Sequence, residues 1–208
     1  MGSHGFSEYN LRLPKRSKMT LNEFKLRYHV HTLPSHHRLM VNSPLTPAAV
    51  LLALQPINHE LHLIFTRRPT HLRAHPGQIS FPGGKVEQGD ADLIATALRE
   101  AEEEIGLSPE NIEVIGRFPS QKTLTGFEIT PVLGIVKSPF KPKLNSGEVA
   151  EYFTVPLSYL LNKAHRQVHP FSRHGHIYPV YFIPYRHHLI WGATASIIEL
   201  LCQHLDVH

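Results

Sequence analysis

Residues 91–107 constrain this chain more than any other stretch of it. On a helix at about 100° per residue, Ile94, Leu98, Ala101 and Ile105 fall in one narrow stripe. That pattern predicts an amphipathic helix over 91–105 with the stripe buried, ended by Gly106. Glu100, Glu103 and Glu104 are spaced i, i+3 and i+4, so their side chains are neighbours, and the wheel sets them away from the stripe. Two features oppose a merely structural role for them. Neighbouring carboxylates repel, and these occupy the last turns, where the helix macrodipole favours cations. A local rule broken this way needs a compensating gain. A divalent cation supplies one, because carboxylate oxygens suit the hard ions Mg2+ and Mn2+. Taken alone, the Glu run is better explained as a solvated helical face, since Glu favours helices. The pair Gly83-Gly84 ahead of the helix, and Arg99 placed to brace Glu103 four residues on, turn the balance toward a metal site.

The chain has 208 residues, the size of one domain or one domain with a tail. Residues 1–18 are expected to be a tail and 19–208 a single domain. Hydrophobic residues make up 41%, enough for a core at this length, which argues against intrinsic disorder. The longest apolar run, Ala48–Leu54, is strand-sized, far short of the roughly 18 residues that span a bilayer. The single cysteine, Cys202, excludes an internal disulfide framework and a cysteine zinc site, and is expected to be a small buried hydrophobe. Lys plus Arg number 21 against 17 Asp plus Glu, and the basic residues are spread along the chain. They form no zinc-finger, basic-helix or RNA-recognition pattern, so nucleic acid is a disfavoured partner. The densest basic stretch, Arg12–Lys18, lies in the tail. With no secretory or membrane segment and no peroxisomal C-terminal address, a cytoplasmic location is expected. The 17 histidines include the pairs His36-His37 and His187-His188. His71 and His75, bracketed by Pro69 and Pro76, belong to a loop and lack the Glu of a zinc-protease helix.

Further elements follow from pattern. A short helix is expected over 19–32 and a proline-rich connection over 33–47. Strands are expected at Ala48–Leu54, Leu61–Arg67, Gln78–Phe81, Ile112–Phe118, Phe127–Val136 and Val149–Val155. The first two surround a turn at Pro56–His59. A polar loop covers 137–147, a short helix begins at Pro156, and Tyr178–Ile183 with Leu189–Ile190 suggests a hairpin. The chain ends in an amphipathic helix, Ala193–Leu205, with Ile197, Leu200, Leu201 and Leu205 inward. Strands and helices alternate without the rhythm of a doubly wound sheet, so the fold class is α/β (α+β), a mixed sheet covered by helices.

The segment from Gly84 resembles the Nudix box, G-x5-E-x7-R-E-U-x-E-E-x-G-U with U aliphatic. Arg99-Glu100-Ala101-Glu102-Glu103-Glu104-Ile105-Gly106-Leu107 matches its second half. Asp90 stands where the first Glu is expected, and eight residues instead of seven separate it from Arg99. Upstream, Ile64–Gly84 resembles L-L-T-x-R-S-x3-R-x3-G-x3-F-P-G-G, the signature of the coenzyme A pyrophosphatase branch of that family. Thr66, Arg68, Arg73, Gly77 and Phe81–Gly84 are in register, while Phe65 replaces a Leu and Pro69 the Ser. Thr125–Val132 and Trp191–Ala195 are similar to that branch as well.

The resemblance implies a Nudix-like α/β/α sandwich with a mixed β-sheet and a catalytic loop-helix-loop. It implies metal-dependent hydrolysis of a nucleotide-derived pyrophosphate, with coenzyme A or a derivative cleaved to 4′-phosphopantetheine and adenosine 3′,5′-bisphosphate. Glu100, Glu103 and Glu104 are the implied metal ligands with the backbone carbonyl near Gly84, Mg2+ or Mn2+ the cofactor, and Arg99 the brace of Glu103. Arg68 and Arg73, beside the Gly83-Gly84 turn, suit bidentate phosphate binding. A further acidic group from a downstream loop is implied; Glu148 is the candidate, ahead of Glu128 and Glu151, with proton transfer from water assigned to it or to a box glutamate. The metal cluster fits equally a Nudix hydrolase of ADP-ribose or a dinucleotide, and a non-catalytic nucleotide sensor remains an alternative. Related folds often pair, so a homodimer is one assembly to expect.

Overall fold

Thr46–Ile57 forms β1, and residues from Leu51 to Leu54 have almost no exposure. A strand buried on both faces must lie inside a sheet, and its neighbours show how. This computed structural model describes residues 18–31, 44–72, 74–173 and 175–205. β1 turns through Asn58 and His59, both left-handed (φ 48° and 61°), into antiparallel β2, Glu60–Arg67. Two such residues in succession make the twist-matched turn of a two-residue hairpin. Pro56 and Ile57, placed in the turn by the sequence reading, are instead paired strand residues. The other edge of β1 runs parallel to β7, Phe127–Val136.

Two short strands enter where β1 and β2 diverge. β3, Ile79–Ser80, pairs with the end of β2, and β4, Gly83–Lys85, with the start of β1. β5, Ile112–Arg117, and β6, Gln121–Lys122, pair in succession with the edge of β7 away from β1. β8, Glu151–Pro156, takes the outer edge of β2. The eight strands form one mixed sheet with the order β3-β2-β1-β7-β5 along its main path.

Alternation along β1 and β2 sorts the core into two layers. Ala49, Leu51, Ala53 and Ile64 face α2, Leu93–Ile105, and pack on Ala97, Ala101 and Ile105. Leu52, Leu54, Leu63 and Phe65 face the other way, toward α1 (Leu21–Val30), α3 (Leu157–Leu161) and α4 (Gly192–His204). The result is helix, mixed sheet, helix. A second antiparallel sheet lies on the α4 side: β9, Gln167–Arg173, β10, His176–Tyr185, and β11, His188–Trp191. Its first strand was not expected, because Pro170 and the exposed polar residues of β9 carry no apolar alternation. The stripe of α4 is buried through Leu205, and Cys202 is buried beside it, its thiol pushed up to about 11 by burial.

The wheel for α2 requires a correction. Ile94 and Leu98 are only partly buried, whereas Glu100 and Glu104 turn inward with Ala97, Ala101 and Ile105. Only Glu103 of the three carboxylates lies on the open side. Two alanines let the helix approach the sheet closely. The glycines of β4 then leave room above the sheet that a Glu side chain fills.

Candidate active site

The helix α2 begins where Asp92 caps it, its carboxylate accepting from Ala95 N at 2.8 Å. It ends at Gly106, which is left-handed (φ 70°). The carbonyls that the last turn leaves unpaired hold the next loop in place. Lys143 N donates to Ile105 O at 2.9 Å and Asn145 N to Glu104 O at 3.0 Å. Asn145 O in turn accepts from Glu148 N and Val149 N at 3.0 and 2.8 Å. The loop that carries Glu148 is thereby stapled to the helix that carries Glu100 and Glu104.

One carboxylate oxygen from each of Glu100, Glu104 and Glu148 lies within 4.8 Å of the others. Beneath them is β4. A Cβ added to Gly84 would stand 2.3 Å from Glu100 Oε1, so the carboxylate occupies the space that glycine leaves. Gly83 N–H points at Glu104 Oε2, 3.4 Å away. Burial pushes the carboxyl of Glu104 up to about 8, with the charge of Glu100 adding to it. Burial raises Glu100 as well, against the pull of Arg99. Three crowded carboxylates, two of them resisting ionisation, form an all-oxygen donor set that further positive charge would stabilise. The residues present fit a divalent ion.

Arg99 is the hub of the surrounding turn. Its Nε and Nη2 donate to the two oxygens of Asp90 at 2.9 and 3.1 Å, and Nη2 also reaches Lys85 O at 3.1 Å. Its Nη1 lies 3.1 Å from both Glu103 Oε2 and Glu100 Oε1. Asp90 further accepts from Glu87 N and Thr96 Oγ1. The Arg99 guanidinium holds the Asp90 carboxyl well below the usual carboxylate range. The altered first half of the motif thus closes on Arg99 despite its extra residue. The sequence reading assigned no role to Asp90, though an acid just ahead of the helix and nine residues before an Arg was the available signal.

The remaining candidates fall as follows. Glu103 pairs with Arg99, is half-exposed, and stands outside the converging oxygens. Arg68 follows β2; its Nε is buried with no hydrogen-bond partner among the described residues, and its charge acts on Glu104. Arg73 lies outside the described residues. Glu128, on β7, stands beside Lys122 of β6 in the ladder and is not part of the carboxylate group. Glu151 has one oxygen on Arg67 and the other on His188, away from Glu148.

Comparison with known proteins defines the class. The NUDIX domain family model matches residues 45–174. A protein of Enterobacter sp. (strain 638) named an uncharacterized Nudix hydrolase, NudL, is 40% identical over 183 residues, 88% of this chain and 93% of its own. A protein of the same name from Photorhabdus laumondii is 38% identical, covering 91% of this chain and 100% of its own. Among solved structures, the Nudix domain of Shewanella oneidensis NrtR, complexed with ADP ribose, aligns with a TM-score of 0.51 over 83% of this chain and 95% of its own. At 16% identity that likeness speaks for the fold alone. The chain belongs to the Nudix family, and it is an enzyme of the family's pyrophosphohydrolase class. Among the described residues no helix is long and apolar enough to cross a membrane.

Proposed function

We propose that this chain hydrolyses the pyrophosphate bond of coenzyme A or a derivative, releasing 4′-phosphopantetheine and adenosine 3′,5′-bisphosphate, with Mg2+ or Mn2+ as cofactor. The observation that carries this reading is the meeting of two motifs. Glu100, Glu104 and Glu148 converge over Gly84, and Arg68, from the upstream signature, brings a buried Nε, unpartnered among the described residues, within electrostatic reach of Glu104.

Glu100, Glu104 and Glu148, with the carbonyl near Gly84, would hold the ion. When bound, a divalent cation neutralises pyrophosphate charge and acidifies the attacking water. The protein's own groups do the rest. Arg68 offers its guanidinium to the pyrophosphate from beside Glu104. Glu148, exposed on its stapled loop, accepts the proton as water oxygen bonds to phosphorus and the bridging P–O bond breaks. Arg99 keeps Glu100 in place and ties it to the turn of Lys85–Asp90. Arg73 supplies a second cation, for the 3′-phosphate.

The test is a product assay. The protein is incubated with Mg2+ or Mn2+ and, in parallel, coenzyme A, ADP-ribose and a diadenosine polyphosphate, and the products are separated by chromatography. Metal-dependent release of adenosine 3′,5′-bisphosphate, with coenzyme A the favoured substrate, is expected. Preference for another substrate would overturn the assignment to coenzyme A and keep the hydrolase.

A further inference from the structure

A second group of potential ligands lies on the opposite face of the sheet from the three carboxylates. Arg67 shares the side of β2 occupied by Leu63 and Phe65, which face α1, α3 and α4. Its ladder partner on β8 is Glu151, and its Nε donates to Glu151 Oε2 at 2.7 Å. The other oxygen, Oε1, is approached by two imidazoles: His188 Nε2 at 2.9 Å and His187 Nε2 at 3.6 Å. One potential ligand atom from each of Glu151, His187 and His188 lies within 4.8 Å of the others.

We propose that Glu151, His187 and His188 form a second cation site, selective for a late first-row transition ion such as Zn2+. Donor atoms about 2.0–2.1 Å from a tetrahedral zinc ion stand about 3.3–3.4 Å apart. The two imidazole contacts to Glu151 Oε1, 2.9 and 3.6 Å, bracket that spacing. The donor set is two imidazoles and one carboxylate, which favours zinc, nickel or copper over Mg2+ and Mn2+. The carboxylate site offers oxygen donors alone, which suit Mg2+ and Mn2+, so an excess of Mg2+ competes there and not at the imidazoles.

Local structure prepares the ligands. Consecutive strand residues point to opposite faces, yet His187 and His188 reach one oxygen. The two-residue turn after Tyr185 makes this happen: Arg186 is left-handed, with φ 53°, and His188 resumes the ladder opposite Tyr185. The His188 ring is 5% exposed and lies flat on Phe153, with centroids 3.8 Å apart and 3° between planes. Arg67 fixes the ligating carboxylate by its other oxygen, as the outer partners of metal sites do. His187 is 75% exposed, which leaves one side open to solvent ligands.

The same geometry limits the affinity. His188 Nδ1 is buried and has no hydrogen-bond partner among the described residues. A metal held at Nε2 leaves Nδ1 as the protonated ring nitrogen, and among the described residues that N–H meets no acceptor. Loss of such an outer partner costs about 10–100-fold in affinity, so this is an exchangeable site. When filled, it bolts the β10–β11 turn to β8.

The experiment is zinc titration of the metal-stripped full chain by calorimetry in excess Mg2+, for the wild type and His187→Ala, with Co2+ absorption spectra in parallel. His187 is exposed, so its replacement leaves the fold intact; a melting curve without metal checks this. Wild type should bind one Zn2+ per chain and give the intense visible bands of tetrahedral Co2+. His187→Ala should weaken zinc binding by about tenfold or more and abolish the bands. Equal zinc affinity in both proteins, or none in the wild type, overturns the proposal. Neither result bears on the hydrolase reading, which involves other residues.

Discussion

Replacing Gly84 by alanine isolates the geometry of the carboxylate site from the stability of the fold. The new Cβ would lie 2.3 Å from Glu100 Oε1, 2.4 Å from Cδ and 2.7 Å from Oε2. Ordinary contact begins at 3.4 Å, so the carboxylate must retreat by 3.4 − 2.3 = 1.1 Å. The obstructing group is the free end of a flexible side chain, and Gly84 has no left-handed backbone to strain. The fold should tolerate the methyl group. Catalysis should not, since a 1 Å displacement of a reacting or liganding group costs about 100-fold in rate. We expect Gly84→Ala to lower kcat/KM for coenzyme A by about 100-fold with little change in melting temperature. Gly83→Ala is the contrast: its Cβ would meet Ala49 O at 2.4 Å and Val50 Cα at 2.6 Å, both backbone, at φ 155°. That variant should unfold at markedly lower temperature. Steady-state hydrolysis and thermal melting, run side by side, measure both. Unchanged activity in a folded Gly84→Ala would refute the placement of Glu100 in the metal site. A collapse in stability would show that Gly84 serves packing.

The raised carboxyl of Glu104 makes the metal-free protein pH-sensitive. Between the ordinary 4.5 and about 8 the folded state holds a proton that the unfolded chain has released, so stability falls as pH rises through that window. Mg2+ must displace the proton, so its affinity should rise over the same range, and both slopes should flatten in Glu104→Gln; melting curves with and without Mg2+ decide. Asp90→Asn removes the charge that holds Arg99 and should reduce kcat more than it raises KM, while Asp90→Glu, which keeps the charge, should recover part of the loss. The Arg166 side chain, 3% exposed, is paired with Glu199. Arg166→Ala leaves that carboxylate without its partner and should cost about 3 kcal/mol in urea unfolding, with per-molecule activity unchanged. Arg73→Ala should raise KM for coenzyme A far more than for a substrate without a 3′-phosphate, and equal effects would assign Arg73 to the pyrophosphate or the fold.

The sequence by itself determined the mixed sheet, the helix at 91–105 and the identity of most of the candidate site, because these are local. A two-residue or 3.6-residue apolar period and a fixed-spacing motif are complete within a short window of chain. Gly106 marked the helix end for the same reason. Tertiary structure decided which way the glutamates face. A helical wheel weights apolar side chains and therefore set Glu100 and Glu104 outward; the glycines of β4 make the inward position available, and only the packed sheet reveals that space. Asp90 was legible as an acid nine residues before Arg99, but the turn that brings the two together was not. Glu148 was legible as an acid in a loop, but its approach to the helix rests on backbone bonds from Lys143 and Asn145 to the last carbonyls of α2. The convergence of Glu151, His187 and His188 was equally invisible, since it needs strand register, a left-handed Arg186 and the stack on Phe153 together. Pattern along the chain specifies which residues are buried in each element; contact between elements specifies which charges meet.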